Sequence, residues 1–523
     1  MESSQRVERA DRADRAIVVA SLTEPPAADG RDLELLGASA DWLEVRADLV
    51  GDIDPDWLRA HFPGELLYTL RSAFEGGAFE GSRETRLRRI GEAAPRFDRV
   101  DLEGERDSVP ELLARIPAAR RIVSWHGAPI DLAALQSRLA HLATVPAAYY
   151  KLVPGAANAG EELAPLALLA GSARRDVIAF ASGAGGFWTR ILAPHLGAPV
   201  IFGSASARPA APGQPSVTQL TRDYGFPALP RIQHLFGLVG WPALQSLSPR
   251  LHNAAYRELG IPALYVPFDV EQFGDFWLEL VESDAFSALG LTLGGMSITT
   301  PHKEVAFAVA GATSPLSERL QAVNTLTPRR GVWEGESTDA EGVVEALRSR
   351  GIEPRDLRIA VIGCGGAGRA AAVGLTVAGA KVVLANRGPE RGMAAARSLG
   401  LPFVPLDELV EPHDSASPAH DGFDVYVHAT PLGRRKSDEL PLPVARIPAG
   451  AVIVDLVYGE RPTPLVAEAR RRGLTAIDGR EVLLYQAIPQ FRAMTGRELP
   501  LALARQVLGL EPGLAPGLVP EGM

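Results

Sequence analysis

The chain has 523 residues, of which 46% are hydrophobic and 22% charged, with a formal net charge of −10 and one cysteine. That length exceeds what a single core organises, so two or three domains of an ordinary globular protein are expected. The negative balance argues against a general nucleic-acid or membrane-surface binder, and Cys364 alone can form neither an intramolecular disulfide nor a cysteine-built zinc site.

Residues 1–15 mix acids with arginines and lack the apolar stretch of a secretory signal, so they read as a flexible N-terminus. The longest apolar stretch, near Leu163 to Ala170, is far too short to cross a bilayer, and the cytoplasm is the expected compartment. From residue 16 to about 206, eight short apolar segments alternate with helical stretches. They are Ala16–Ser21, Asp41–Arg46, Leu66–Arg71, Arg99–Glu103, Arg121–His126, Tyr149–Val153, Asp176–Ala181 and Val200–Ser204. This pitch predicts parallel βαβ units, and eight of them predict a closed (β/α)8 TIM barrel.

Barrel chemistry lies at the C-terminal ends of the strands. Glu44, Arg46, Arg71, Glu75, Asp101, Glu103, His126 and Lys151 fall there, with Arg190 after the seventh strand and Gln214 in a Pro/Gly loop after the eighth. Lys151, between Tyr150 and Leu152, is expected to lose hydration, which lowers its pKa and frees an amine to attack a ketone. The bland alternative pairs it with Glu103 in a core ion pair. His126 can move protons in either direction, and Glu75 can orient its ring; otherwise it is a satisfied rim histidine. Amine, shuttle and orienting acid suit elimination of water β to a carbonyl, with no metal.

These residues resemble the type I 3-dehydroquinate dehydratases. The matching segments are Leu43-Glu44-Val45-Arg46, Tyr68-Thr69-Leu70-Arg71 with Glu75-Gly76-Gly77, Ser124-Trp125-His126, Tyr150-Lys151 and Ala211-Pro212-Gly213-Gln214, across about residues 16–225. The resemblance implies Lys151 as the Schiff-base residue and His126 as acid/base, supported by Glu75. It implies that Glu44, Arg46 and Arg71 hold ring substituents, Arg190 the carboxylate, and Gln214 a hydroxyl from a closing loop. Ala210 departs from the serine often found in that lid.

Residues 222–231 end in Gly225-Phe226-Pro227-Ala228-Leu229-Pro230 and read as a linker. Beyond it, Leu235–Gly240 reads as a strand. Ser248 before Pro249 reads as a helix N-cap with proline at the first helical position, or else Ser246 and Ser248 offer hydroxyls to an anionic substrate. Met296–Lys303 reads as a strand opening a helix. Lys303 with Asp339 is either a surface salt bridge or a pair that exchanges a proton beside a nicotinamide.

The turn Gly363-Cys364-Gly365-Gly366-Ala367-Gly368 follows the strand Arg358–Ile362 and opens a helix over Arg369–Val377, the context of a dinucleotide cradle. A flavin site or a plain core turn are the alternatives. About 20 residues on, the strand Lys381–Ala385 ends in Asn386-Arg387, with Arg391 one turn later. Positive charge where an acid would meet a ribose points to a 2′-phosphate, hence NADP(H). Asp424–His428 and Val452–Leu456 read as further parallel strands of that sheet.

This half resembles shikimate dehydrogenase over about residues 232–508, through Ser246-x-Ser248-Pro249, Thr299 with Lys303, Asn324, Asp339, Asn386-Arg387 and Gly479-x-x-x-Leu483-x-x-Gln486-Ala487. The resemblance implies Lys303 and Asp339 as the catalytic pair. It implies substrate contacts from Ser246, Ser248, Thr299, Asn324, Asp339, Tyr458 and Gln486. Cofactor contacts would come from Gly363, Gly365, Gly366, Ala367, Gly368, Asn386, Arg387, Arg391, Thr430 and Gly479. Gln245 stands where a histidine is common, and Ser297, Ser337 and His428 stand for asparagines.

Jointly the chain resembles the bifunctional 3-dehydroquinate dehydratase/shikimate dehydrogenases. That implies a dehydratase barrel at 16–221, a linker at 222–231 and a two-lobed reductase. The reductase would have an α/β substrate-binding domain at 232–345, a Rossmann NADP-binding domain at 346–478, returning helices at 479–510 and a tail at 511–523. Small-molecule partners and a monomer or homodimer are expected. A catabolic quinate/shikimate dehydrogenase fusion and a non-catalytic metabolite sensor are the competing readings.

Overall fold

The structure is a computed structural model that describes residues 14–409, 422–433 and 438–510. The expected tail at 511–523, and residues 1–13 of the expected flexible N-terminus, lie outside the described residues. The chain divides into two compact units, residues 1–236 with 260–293, and residues 237–259 with 294–523.

In the first unit eight parallel strands alternate with helices: β1 (Ile17–Leu22), β2 (Trp42–Arg46), β3 (Glu65–Thr69), β4 (Arg99–Glu103), β5 (Arg121–Gly127), β6 (Tyr149–Pro154), β7 (Val177–Ala179) and β8 (Val200–Ser204). They neighbour one another in the order β7-β6-β5-β4-β3-β2-β1-β8. Apart from the carboxyl end of β5, where Trp125 to Gly127 reach the rim, the strands are almost wholly buried, because helices cover the outer face and the inward side chains fill the interior. The barrel is nearly closed rather than closed: β7 has only three residues, and after it the Ala181 N–H turns to the Thr189 hydroxyl at 2.9 Å instead of continuing a ladder. Arg71 lies two residues beyond the end of β3, not on it.

Register decides which side chains meet. Glu103 pairs with Ser124 and Ser124 with Lys151, so these three lie on one rung across β4, β5 and β6. The helix Val217–Tyr224 closes the barrel with a reciprocal Ser216/Gln219 capping box and a left-handed Gly225 at its end. The expected linker therefore begins as helix, and its later part returns to the barrel: Ala16 N–H donates to Pro227 O at 2.8 Å and Leu229 N–H to Asp14 O at 2.9 Å. Within the same unit, Trp188 packs edge-on against Phe268 of the 260–293 segment, ring centroids 5.3 Å apart.

In the second unit, β11 (Thr292–Ile298, following β9 at His234–Gly240 and β10 at Ala263–Asp269) pairs antiparallel with β13 (Thr325–Arg329). Strand β13 pairs with β14 (Val332–Glu336), which meets β12 (Ala312–Thr313) in parallel. The last sheet is wholly parallel, built from β15 (Arg358–Ile362), β16 (Lys381–Asn386), β17 (Phe403–Pro405), β18 (Val425–His428), β19 (Val452–Asp455) and β20 (Thr475–Ile477). Its order β17-β16-β15-β18-β19-β20 reverses direction between β15 and β18, the doubly wound arrangement whose switch point opens a crevice at the carboxyl ends of those two strands. Alternate residues feed two separate cores: Ile359, Val361, Val425 and Val454 on one face, Ala360, Ile362, Tyr426 and Ile453 on the other.

Candidate active sites

The barrel interior opens into a cavity of about 380 Å³. Lys151, His126, Glu75, Glu44, Arg46, Arg71, Arg190 and Gln214 all line it, although they come from six different segments. Lys151 has its Nζ 3.7 Å from Asp101 Oδ2 and 4.0 Å from the centre of the Phe202 ring. Its ion-pair neighbour is thus Asp101, not the Glu103 of the core-pair reading. Glu103 is taken by the Ser72 N–H at 2.8 Å and hydroxyl at 2.7 Å, with Arg71 and Arg86 at 3.4 and 3.3 Å. Burial lowers the Lys151 pKa, Asp101 and Glu44 oppose that, and the Arg71 and Arg46 charges push it down again.

Glu75 is brought to His126 by a short 3-10 turn, Ala73–Glu75, capped by the Ser72 hydroxyl and ended by Gly76 at φ 79°. Gly77 has no room for a side chain, since a Cβ there would lie 2.3 Å from Arg71 O. Glu75 Oε2 stands 3.0 Å from His126 Nδ1 and accepts the His126 main-chain N–H at 3.1 Å. Burial pushes the Glu75 carboxyl up to about 8; Arg71 opposes the rise, and Glu103 and Asp101 add to it. Burial also holds the His126 imidazole well below its usual 6.5, helped by the charges of Arg71, Lys151, Arg46 and Arg190. A neutral imidazole next to a protonable acid is able to take and return one proton.

Arg71 organises this wall, donating to Asp101 Oδ1 at 2.8 Å, the Ser124 hydroxyl at 3.0 Å and Glu75 at 3.2 Å. Arg46 is held bidentately by Asp48 at 2.7 and 2.9 Å. Glu44 accepts from the Ser21 and Thr69 hydroxyls at 2.5 and 2.8 Å. Gln214 donates to Ser21 at 3.2 Å and accepts the Ala210 N–H at 2.7 Å, so the lid departure at Ala210 contributes through its backbone. Arg190 is buried over the Phe180 ring at 4.2 Å, its Nε lacks a hydrogen-bond partner, and burial pushes its guanidinium down to about 10. A buried guanidinium facing a cavity with an unused donor suits an anion.

In the second unit the Lys303 ammonium donates to Asp339 Oδ2, with the two side chains only 15% and 11% exposed, so this is no surface salt bridge. Asn324 Nδ2 donates to Asp339 Oδ1 at 2.8 Å and to Thr338 at 3.0 Å. A second group gathers Ser246, whose hydroxyl is 3.2 Å from that of Ser248 and 3.5 Å from that of Tyr458. The helix Ser248–Leu259 starts at Ser248 itself, and it is Ser246 Oγ that accepts the Ser248 N–H at 3.2 Å. The N-cap reading of Ser248 is therefore corrected: the cap-like acceptor sits two residues earlier. Thr299 follows β11 and lies against Gly240, and Gln486 lies over Gly342 in the helix that Asp339 opens.

Sequence reasoning missed several supports. Gln490, one turn past Gln486, accepts from the Ser297 hydroxyl at 3.3 Å and donates to Asn324 O at 3.2 Å, so the serine at 297 is satisfied. Arg250 donates to Glu460 at 3.0 Å, tying the Tyr458 loop to the Ser248 helix. The helical spacing of Gln486 and Gln490 is the one signal that pointed to the first.

The glycine turn fits a dinucleotide. Gly363 has φ 105°, and Gly368 packs so tightly that a Cβ would lie 1.9 Å from Gly363 O, while Gly365 faces open space. The helix Gly366–Val377 has Gly365 as N-cap with no side-chain cap, leaving its first N–H groups for a phosphate. The helix therefore begins at Gly366, three residues before the expected Arg369. A Cβ on Gly366 would lie 3.7 Å from Lys303 Cδ, so the ammonium-bearing chain borders the turn. Arg387 and Arg391 are exposed at the end of β16 and the start of the next helix, and Asn386 Nδ2 donates to Gly388 O at 2.8 Å. Gly479 is required by packing, since a Cβ there would meet Val457 O at 2.4 Å. Among the described residues no group of three or more His, Cys, Asp or Glu is placed to hold a metal, and no helix is long and apolar enough to cross a membrane.

Comparison with known proteins covers both halves. A type I 3-dehydroquinase model matches residues 18–228, and a shikimate dehydrogenase substrate binding domain model matches 238–326. A FAD binding domain model matches 358–428, the strand–glycine-turn–helix stretch common to flavin and nicotinamide dinucleotide sites. The chloroplastic bifunctional 3-dehydroquinate dehydratase/shikimate dehydrogenase of Arabidopsis thaliana is 29% identical over 498 residues, 90% of this chain and 80% of that one. The shikimate dehydrogenase (NADP(+)) of Acidiphilium cryptum is 38% identical over 262 residues, 50% of this chain and 90% of its own. Among solved structures, shikimate 5-dehydrogenase of Thermus thermophilus in complex with NADP(H) and shikimate is 32% identical, covering 53% of this chain and 99% of that one with a TM-score of 0.47. With a type I 3-dehydroquinase in its first half and a shikimate dehydrogenase in its second, the chain belongs to the bifunctional 3-dehydroquinate dehydratase/shikimate dehydrogenase family.

Proposed function

We propose a division of labour for this chain, whose family joins a lyase to an oxidoreductase of the shikimate pathway. In the barrel, the neutral Lys151 amine adds to the ketone of 3-dehydroquinate and expels water to give an iminium. The iminium acidifies the adjacent C–H, His126 takes that proton, and the resulting enamine expels the β-hydroxyl, which leaves as water with the proton His126 returns. A second water releases 3-dehydroshikimate and restores the amine. Glu75 orients the imidazole, Arg190 takes the carboxylate, and Glu44, Arg46, Arg71 and Gln214 hold the hydroxylated ring. The observation that carries this reading is the convergence of all eight residues on one cavity around a dehydrated lysine.

In the second unit Ser246, Ser248, Thr299, Asn324, Tyr458 and Gln486 hold 3-dehydroshikimate, and Lys303 with Asp339 supplies the proton that turns the ketone oxygen into a hydroxyl. NADPH bound at the glycine turn supplies the hydride. Gly363, Gly365, Gly366, Ala367 and Gly368 admit its pyrophosphate, Asn386, Arg387 and Arg391 receive the 2′-phosphate, and Thr430 and Gly479 flank the nicotinamide end. The paired arginines favour NADP(H) over a flavin or NAD(H). One buried thiol, Cys364, suits a cytoplasmic compartment.

Borohydride treatment in the presence of 3-dehydroquinate, followed by peptide mass mapping, should place a reduced adduct on Lys151. The same sample should oxidise shikimate with NADP⁺ in preference to NAD⁺. An adduct elsewhere, or none, rules out the imine, and a bound flavin or preferential quinate oxidation rules out the reductase assignment.

A further inference from the structure

His428 is fully buried at the carboxyl end of β18. Parallel pairing sets it opposite Asp455 on β19, on the same face of the sheet. Its Nδ1 is 2.8 Å from Asp455 Oδ1 and its Nε2 is 2.5 Å from Thr430 Oγ1. Asp455 is an acceptor throughout: Oδ1 also takes the Val457 N–H at 3.0 Å and Oδ2 takes the Thr463 hydroxyl at 2.5 Å. A carboxylate surrounded by donors requires the histidine proton on Nδ1. In the neutral ring Nε2 is then bare, so Thr430 must donate its hydroxyl proton to it. The Thr430 oxygen already accepts the Leu432 N–H at 3.4 Å, which leaves one lone pair and no proton.

Thr430 is only half-buried, and it borders the crevice at the switch point: a Cβ on Gly363 would lie 2.9 Å from Thr430 Cγ2. We propose that His428 and Asp455 are positioning residues that fix the Thr430 hydroxyl as a hydrogen-bond acceptor, selecting a neutral donor of the nicotinamide nucleoside rather than a phosphate oxygen. An asparagine at this position would offer a side-chain amide able to donate to Thr430 and would leave the hydroxyl proton free to point outward, so His428→Asn should reverse the polarity of this contact. The inference rests on the reductase reading and goes beyond it by assigning two residues that touch no ligand.

Two measurements test it on the full chain. In long-range ¹H–¹⁵N spectra of histidine-labelled protein near pH 8, the resonance lost in His428→Asn should carry the Nδ1–H tautomer pattern. An Nε2–H or doubly protonated pattern overturns the proposal. By fluorescence titration of the binary complex, Thr430→Val should weaken NADP⁺ binding about 5-fold, the loss of one net hydrogen bond. His428→Asn should weaken it similarly, and in the double variant the two losses should not add. Repeating the titration with the 3-acetylpyridine analogue separates the donors: a retained Thr430→Val effect assigns a ribose hydroxyl, and an abolished effect assigns the carboxamide amine. Unchanged NADP⁺ affinity in Thr430→Val sinks this inference alone. A wild-type chain that does not bind NADP⁺ sinks the reductase reading and this inference with it.

Discussion

Lys151 and Lys303 stand at the centres of the two sites, in surroundings that differ in kind. Lys151 lies inside a barrel strand above an aromatic ring, 3.7 Å from the nearest carboxylate oxygen and close to two arginines. Lys303 opens a helix and touches Asp339 directly, and Asn324 holds that carboxylate from behind. Removing water and adding like charge favours a bare amine at Lys151, whereas Lys303 is held in place by the carboxylate that it touches. A nucleophile needs the first environment, and a group that passes a proton needs a partner fixed within hydrogen-bond reach, as in the second. The fold thus gives the same side chain two different settings, one suited to a nucleophile and one to a proton carrier.

The sharpest way to break the comparison is to delete each lysine in turn. Lys151→Ala should cost the dehydratase on the order of 10⁴-fold or more in kcat, because no other group can form the covalent adduct. NADP⁺-linked shikimate oxidation should remain at the wild-type rate in the same sample. Lys303→Ala should lower the reductase kcat by about 10²- to 10⁴-fold, the usual worth of a positioned proton donor, with dehydration untouched. Equal losses in both assays from either variant would show that the lysines do not have separate tasks.

Smaller changes sharpen the picture of the barrel. Arg190→Gln should raise the dehydratase KM by about 10- to 100-fold, the range for a charged hydrogen bond to a carboxylate, with a lesser effect on kcat. An unchanged KM would place the carboxylate elsewhere. Asp101→Asn tests the electrostatics. The Asp101 charge favours the Lys151 ammonium and so opposes the burial that lowers its pKa. Removing that charge lowers the Lys151 pKa further, so the acid limb of kcat/KM should move to lower pH. A limb that stays in place or moves up would show that Lys151 titration does not set it.

Glu103 illustrates what a strand pattern leaves open. It is the partner in the alternative core-pair reading of Lys151 and does share a rung with that lysine two strands away, yet Ser72, Arg71 and Arg86 occupy its carboxylate. Ser248 is a similar case: proline after serine marks a helix start, but which hydroxyl accepts the first N–H depends on the path of residues 246–248. In the parallel sheet β15, β16 and β17 lie side by side through the helices Gly366–Val377 and Pro389–Leu399, because right-handed crossovers leave few other arrangements. The near-closure of the barrel is a different matter. The expected seventh strand ran to Ala181 whereas β7 ends at Ala179: Phe180 and Ala181 are as apolar as a strand requires, but the Ala181 N–H turns to the Thr189 hydroxyl.

The sequence by itself determined the eight-unit barrel, the glycine turn in its strand–helix context, the arginines after the second strand, and the residue types able to form an imine or move a proton. These are local properties: periodicity, turn chemistry and intrinsic reactivity are written in neighbouring residues. Only the tertiary structure decided which carboxylate faces Lys151, that Gln490 satisfies Ser297, and that His428 finds Asp455 across a strand pair. Those contacts join residues 27 to 193 positions apart, and their partners are selected by register and packing rather than by any local signal.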